Sequence, residues 1–211
     1  MYSSIGMIWT WALLLGIFNT DNDISVIHNK YNLLSGWIHI LPESKMYLQG
    51  KTSLNKYHCK CQATNPSFEF WLEQKKNSCF FKTTHFSINT TNLDCKNSLY
   101  NYNIKKKLES NKFPSIHIHL LNIKENGIPK YIFPYTWHQL KIKTLVTIRE
   151  KALIQNVEVM AFKISEKRYQ LKGSHVMSMQ DYLIDTYALV FGMVKVEDAI
   201  EFNFDLVLEI R

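Results

Sequence analysis

Residues 200–210 alternate between apolar and mostly polar side chains, and this alternation constrains the fold more than any other feature of the sequence. The apolar positions are Ile200, Phe202, Phe204, Leu206, Leu208 and Ile210. Successive side chains of a strand point to opposite faces, so the run predicts one long strand with an apolar and a polar face. Long two-faced antiparallel strands are typical of sandwiches and barrels, whose interior takes the apolar face. We therefore expect an all-β fold.

Further strand patterns fill most of the chain upstream, and we expect about eight to ten strands. They lie at residues 37–40, 46–49, 57–63, 67–72, 79–81, 115–120, 140–148, 156–164, 169–177 and 192–196. A single short helix is predicted near 97–109, because Asn97 and Ser98 can cap it and Pro114 follows it. The sequence has no internal repeat and no linker rich in Gly, Ser or Pro, which favours one domain.

The N-terminal segment resembles a secretory signal. No Lys or Arg occurs in the first 29 residues, and residues 5–18 are almost continuously apolar. This run is shorter than the roughly 20 residues that a membrane-spanning helix needs, but it suits the apolar core of a signal peptide. We expect a signal peptide at 1–20, one domain at 21–211, and a periplasmic or secreted protein. The alternatives are an uncleaved anchor or a buried first segment.

The chain is basic, with a formal net charge of +7 and a pI near 9.1. Such a charge permits attraction to anionic membranes or to nucleic acid. The lysines are scattered apart from the runs at 75–76 and 105–107, and no nucleic-acid-binding motif accompanies them. We interpret them as a solvated surface and expect no nucleic-acid partner. Peripheral membrane contact and a homodimer are both compatible with the sequence.

Four cysteines, Cys59, Cys61, Cys79 and Cys95, fit disulfide bonding in an exported protein. Three pairings are open from the residues alone. Cys59 and Cys61 are separated by one residue, which differs from the two-residue spacing of zinc ribbons, so no structural metal site is predicted.

His117 and His119 lie two residues apart on a predicted strand, so both imidazoles project from one face. Two such rings can share a metal ion, but no third ligand follows at a recognisable spacing. Ile116 and Ile118 form the other face of that strand, which favours two solvated histidines. The sequence contains no nucleophile elbow, no phosphate-binding glycine loop and no zinc-protease motif, so neither an enzyme nor a cofactor is expected.

Aromatic residues are frequent on the alternating faces, among them Phe68, Phe70, Phe202 and Phe204. They could simply fill a core. A barrel of about eight strands, however, is just wide enough either to be filled by side chains or to hold one apolar ligand. The pattern therefore permits a hydrophobic binding site.

Three segments in order resemble the YceI-like family. Residues 50–59, GKTSLNKYHC, are similar to that family's early Gly-x-Thr-Asn-x-x-x-Phe-x-Cys strand, with Ser and Tyr where the family has Asn and Phe. Residues 93–97, LDCKN, with the following helix and residues 112–116, KFPSI, are similar to Phe-Asp-Cys-x-Asn, a short helix and Tyr-Pro-x-Ile. The third segment runs from LKG at 171–173 through FGMVKV at 191–196 to the final strand. It is similar to the family's closing Leu-x-Gly, Gly-x-x-Lys-Val and alternating terminal strand. The Pro-Pro-Thr-like turn of the family is replaced by Asp-Thr-Tyr at 185–187.

The resemblance covers roughly residues 31–211 and implies an antiparallel lipocalin-like barrel. It further implies that the interior binds a long isoprenoid or similar amphiphilic lipid, with no enzymatic activity. Cys59 and Cys95 occupy positions that the resemblance pairs, which leaves Cys61 and Cys79 as a second pair or as free thiols.

Our leading hypothesis is therefore an exported protein that carries or stores a hydrophobic small molecule inside a β-barrel. Its affinity would come from apolar area removed from water, at about 25 cal/mol per Å². The expected lining is Phe68, Phe70, Ile116, Ile118, Phe202, Phe204 and Leu206. The alternatives are a secreted structural or stress-related barrel with a filled core and, less favoured, a metal-dependent enzyme that uses His117 and His119.

Overall fold

A computed structural model of the chain describes residues 33–75, 78–124, 135–185 and 195–211. The expected signal peptide at 1–20 lies outside these residues, as do residues 192–194 of one predicted strand. Eleven strands are described: β1 Leu33–Ile40, β2 Lys45–Thr52, β3 Lys56–Cys61, β4 Ser67–Lys75, β5 Ser78–Phe81, β6 His85–Asn89, β7 Ser115–Lys124, β8 Trp137–Ile148, β9 Lys151–Lys163, β10 Arg168–Ser178 and β11 Val196–Ile210. The described part of the chain has one α-helix, α1 Ser98–Lys107, and a 3-10 turn at Gln180–Tyr182.

The strands form a closed antiparallel barrel, which confirms the predicted all-β fold. Eight of them make a ring in the order β1, β4, β5, β7, β8, β9, β10 and β11, and pairing of β1 with β11 closes it. Closure leaves these eight strands without a free edge along the ring.

The long final strand β11 has different partners along its length. Its first part, from Val196 to Asp205, pairs with β2, whereas Leu208 and Ile210 pair with β1. Ser44 lies at the change of partner, where its hydroxyl accepts from the Val207 N–H at 2.9 Å and donates to the Val207 carbonyl at 3.2 Å. The Ser44 hydroxyl thus provides the acceptor for the Val207 N–H, while the Leu41 N–H also donates to the Val207 carbonyl at 2.8 Å.

A second closure uses β2, β3 and β6. β2 pairs with β3, the chain after β3 bridges to β6 through Ala63 and Ile88, and β6 pairs with the first half of β7. Strands β7 to β11 therefore belong to both closures. Of the remaining strands, one set lies at each end of the barrel: β1, β4 and β5 form the first set, and β2, β3 and β6 form the second.

Helix α1 lies at one end, which we call the helix end. The Asn97 side chain accepts from the backbone N–H groups of Leu99 and Tyr100 at 3.0 and 3.2 Å, so it caps the helix as predicted. The first residues of β7 and β9 and the last residues of β8 and β10 lie at this end. The end of β7, the start of β8 and the end of β11 lie at the other, which we call the opposite end.

Two differences from the predicted strands have a local cause. Strand β6 was not predicted, because its five residues, HFSIN, carry only two large apolar side chains. Strand β9 begins at Lys151 and not at Asn156, because Gln155 takes an inward position and interrupts the apolar alternation. Within the described residues, no helix has the length and apolar character needed to cross a membrane.

Candidate ligand-binding interior

All seven side chains that we expected to line the interior lie on inward faces of their strands and belong to one apolar cluster. Four of them are buried, namely Ile116, Ile118, Phe202 and Leu206. The other three, Phe68, Phe70 and Phe204, are only half-buried and pack against the same cluster.

The helix end of the interior is tightly packed. Leu93, Ile104, Leu108, Tyr182 and Ile184 are buried there together with the ends of the strands. These residues come from α1, the segment before it and the 3-10 turn, so non-strand segments close this end of the barrel.

Toward the opposite end, the inward apolar side chains are less completely covered. Leu140, Ile142, Val159 and Ala161 form a second buried cluster on β8 and β9. The inward side chains packed against that cluster are only half-buried, and they are Leu120, Ile123, Val157, Leu171 and Phe204. These inward apolar side chains therefore retain contact with solvent.

Two inward glycines keep phenylalanine rings against the barrel wall. Gly173 pairs with Phe204 across β10 and β11, and a Cβ at Gly173 would lie 2.4 Å from the Phe204 Cζ. Gly36 pairs with Phe70 across β1 and β4, and a Cβ there would lie 2.7 Å from the Arg211 carbonyl oxygen and 3.0 Å from the Phe70 Cε1. Each ring therefore lies over the space that a side chain at the glycine would have taken.

A polar layer lies between the two apolar clusters on strand β9, whereas Leu120, Leu171 and Phe204 on other strands pack against both clusters. The Gln155 amide donates to the Tyr182 hydroxyl at 3.0 Å, and its carbonyl oxygen lies 3.0 Å from His175 Nε2. On β9, Gln155 falls between Leu153, which packs on the larger cluster, and Val157, which packs on the smaller one. Thr144 is buried beside this layer.

Burial shifts the protonation of this layer toward neutral forms. Desolvation lowers the pKa of His175 and raises the pKa of Tyr182. Both groups are therefore neutral hydrogen-bonding groups near pH 7, and no charge is buried in the layer. Gln155 and His175 were not predicted as interior residues, because polar side chains within a strand are usually expected to face solvent.

Cys59 and Cys95 form a disulfide, which is the pair that the YceI-like resemblance implies. It joins β3 to the segment before α1. Cys61 and Cys79 are free thiols. Burial raises the pKa of the Cys61 thiol to about 12 and also raises the pKa of Cys79, so both are protonated at neutral pH.

His117 and His119 lie on the outer face of β7, away from the interior, while Ile116 and Ile118 point inward. The His119 ring stacks on His85 of β6 with ring centroids 5.1 Å apart, and His117 Nδ1 lies 2.8 Å from the Ser87 hydroxyl. Desolvation and the neighbouring His85 and His117 lower the pKa of His119. The described residues contain no group of three or more metal-ligating side chains placed to hold a metal ion.

No protein-family model matches the sequence, and no curated protein matches it. Among solved structures, a polyisoprenoid binding domain from Saccharophagus degradans, implicated in plant cell wall breakdown, superposes with a TM-score of 0.60. The two sequences are 6% identical, and the match covers 83% of this chain and 99% of that chain. This chain has the fold of that domain.

Two further solved structures are similar. BcnA from Burkholderia cenocepacia matches with a TM-score of 0.52 and 14% identity over 78% of this chain and 96% of that chain. A Campylobacter jejuni YceI protein matches with a TM-score of 0.45 and 11% identity over 70% of this chain and 79% of that chain. The closed barrel and its similarity to the first two of these structures confirm the fold that the YceI-like resemblance led us to expect.

Proposed function

We propose that the protein binds an isoprenoid or similar amphiphilic lipid inside the barrel, without catalysing a reaction, and carries or stores it outside the cytoplasm. The apolar part of the ligand would lie between the polar layer and the opposite end, against Phe68, Phe70, Phe204 and Leu206. Ile116, Ile118 and Phe202 would form the wall nearer the packed helix end.

The observation that carries this proposal is the arrangement of inward aromatic rings over glycine. Phe70 and Phe204 lean onto Gly36 and Gly173, and the inward apolar residues around them remain half-buried. Both rings and the half-buried residues around them would give a ligand apolar surface to contact.

Two other findings support the proposal. The Saccharophagus degradans domain that shares this fold is described as polyisoprenoid binding. The Cys59–Cys95 disulfide suits an oxidising compartment, and it agrees with a signal peptide at 1–20 and one domain at 21–211. Periplasmic or secreted localisation is therefore part of the proposal.

Native mass spectrometry of the purified protein, before and after delipidation, tests the proposal directly. We expect a co-purifying hydrophobic ligand, and we expect the delipidated protein to take up an added isoprenoid quinone. A clean apo mass together with no uptake of the quinone would contradict the proposed function.

A pair of substitutions on β9 distinguishes an open interior from a filled one. Val157 points inward and is half-buried, whereas Met160 lies on the outer face. In an open interior, Val157→Phe should lower quinone affinity by about tenfold or more with little change in stability, because the new ring occupies ligand space. The control Met160→Phe should leave binding unchanged.

In a filled interior the same change would act differently. Overpacking a closed core costs about 1–3 kcal/mol. If Val157→Phe loses stability to this extent and the wild-type protein binds no quinone, the structural barrel is favoured over the lipid-binding protein.

A further inference from the structure

The positive charge of the protein is concentrated in two short segments. Residues 45–61, which form the β2–β3 hairpin, contain four lysines and no Asp or Glu, and residues 95–108, which include α1, likewise contain four lysines and no Asp or Glu. These eight are part of 25 Lys and Arg residues, which leaves 17 basic residues against 18 acidic ones in the rest of the chain. The net charge of +7 is thus located on these segments, although they are distant in sequence.

The fold holds the two segments together as one surface. The Cys59–Cys95 disulfide links them, and the backbones of Lys60 and Asp94 bond to each other. The Tyr57 and Tyr100 rings stack with centroids 5.2 Å apart, and the Tyr100 hydroxyl donates to the Asn55 side chain at 2.9 Å. The tip of the hairpin is therefore fixed beside α1.

Exposed apolar side chains lie among these lysines. Leu54 at the hairpin tip is 75% exposed, and Leu99 and Tyr102 on α1 are 45% and 61% exposed. We define the hairpin–helix face as the exposed side chains of Lys51, Leu54, Lys56, Leu99, Tyr102 and Lys106. The Lys106 ammonium lies 5.7 Å from the Tyr102 ring centroid, so basic and apolar groups are intermixed.

Carboxylates lie beside this surface, and on β11 Glu201 and Asp205 are the cross-strand partners of Gln49 and Lys45 of β2. Asp94 is paired with Lys96 at 2.8 Å, and Glu197 lines the pocket between Tyr57 and Lys107 at the edge of the face. Within the described part of the chain, neither Lys51, Lys56 nor Lys106 forms an ion pair with a carboxylate. These ammonium groups are therefore available to an anionic partner.

We propose that the hairpin–helix face docks on the surface of an anionic phospholipid membrane. Lysines beside a membrane are attracted to anionic headgroups, and exposed apolar side chains on a short helix can enter the boundary between headgroups and acyl chains. Nucleic acid or an acidic polysaccharide would use the lysines but would give Leu54 and Leu99 no apolar surface to contact. This partner goes beyond the proposed ligand and uses a different surface from the barrel interior.

Sedimentation with lipid vesicles tests the proposal on the chain from residue 21 to residue 211, without the expected signal peptide. We expect binding to vesicles that contain phosphatidylglycerol in phosphatidylcholine, no binding to pure phosphatidylcholine, and a decrease as salt is raised. The double variant Lys56→Glu with Lys106→Glu should weaken binding by about tenfold or more, since each basic residue near the surface contributes on the order of 1 kcal/mol.

Matched variants separate a local face from overall charge. Lys143→Glu with Lys167→Glu changes the net charge equally. Neither lysine forms an ion pair with a carboxylate among the described residues, and both lie away from the hairpin–helix face, so binding should persist. Leu54→Ser with Tyr102→Ser should reduce the binding that remains at high salt. Lys143 is half-exposed and the other five positions are exposed, and thermal unfolding confirms that each variant is folded.

The proposal is overturned if the wild-type protein binds neither kind of vesicle, or if the two charge variants lose binding equally. It is also overturned if the Leu54→Ser, Tyr102→Ser variant binds like the wild type while DNA or heparin competes fully with the vesicles. Quinone uptake is measured in parallel in detergent solution without vesicles. If the protein binds vesicles but takes up no quinone, the proposed function is refuted and membrane docking is not. If it takes up quinone but binds no vesicles, membrane docking alone is refuted.

Discussion

His175 is a half-buried imidazole in the polar layer, and its chemistry gives the interior a dependence on pH. Desolvation lowers its pKa from the ordinary value of 6.5, and the pKa of His119 on the outer face is lowered as well. The folded chain therefore binds fewer protons than the unfolded chain in the window below the ordinary imidazole pKa. Stability rises with pH wherever the unfolded state holds more protons.

We predict that the free energy of unfolding falls as the pH drops through this window, from about 7 toward 5. His175→Asn should flatten part of that slope, and His119→Asn should remove another part. The measurement is urea denaturation at a series of pH values, with the exposed His58→Asn as the control. A slope that His175→Asn leaves unchanged would show that this group does not couple to folding.

The inward positions of β11 were predictable because they repeat with the period of a strand. Phe202, Phe204 and Leu206 alternate strictly, and all three point inward. Gln155 and His175 could not be assigned in the same way, because their polar side chains satisfy one another only after β9 and β10 come together. Ser174, by contrast, points outward toward Glu201, as expected for the residue next to an inward His175.

At the scale of elements, the hairpin of β2 and β3 and the helix α1 behave as one covalently joined unit. Their disulfide closes a loop with a sequence separation of 36 residues. Restricting a loop of that length in the unfolded chain stabilises the folded state by about 4 kcal/mol in the chain-entropy model. The bond also keeps the charged segments of the hairpin–helix face together.

We predict that the double variant Cys59→Ala with Cys95→Ala loses about 3–4 kcal/mol of stability in chemical denaturation. Cys79→Ser, which alters a free and partly exposed thiol, should change stability far less. If the double variant were as stable as the wild type, the disulfide would have no structural role, and the hydrogen bonds around Tyr100 and Lys60 would suffice.

The helix and most strands could be predicted because their signals are local. Asn97 caps α1 through its own neighbours, and Pro114 follows the helix closely. Strand β6 and the basic face could not be predicted, because both depend on partners far away in sequence. Lys56 and Lys106, for example, are 50 residues apart and share a surface only through the fold.

At the scale of the whole molecule, Ser44 holds the barrel together where β11 changes partner. Its hydroxyl satisfies both backbone groups of Val207, and the Leu41 N–H also donates to the Val207 carbonyl at 2.8 Å. We predict that Ser44→Ala destabilises the protein by about 1–3 kcal/mol, because the Val207 N–H loses its acceptor.

Thermal or urea unfolding measures this effect, with the exposed Ser165→Ala as the control. Ser44→Thr keeps the hydroxyl and should recover most of the stability. Equal stability of Ser44→Ala and the wild type would mean that water replaces the hydroxyl at this point.

The closed barrel itself followed from the length and alternation of the final strand, but its two closures did not. Nothing in the local pattern of β11 specifies that Val196–Asp205 and Leu208–Ile210 take different partners. That choice depends on the turn before β2, which places β1 and β2 along different lengths of the same strand.

The double closure also divides the strands outside β7 to β11 into two sets, one at each end of the barrel. Strands β1, β4 and β5 close one end, and β2, β3 and β6 close the other, while β7 to β11 serve both. Changes at inward positions of the first set would reshape the proposed binding interior and leave the disulfide-linked end intact. Changes at outward positions of the second set would alter the hairpin–helix face. Changes at its inward positions would also reach the interior, because Phe86 of β6 stacks on Phe68 with ring centroids 5.8 Å apart.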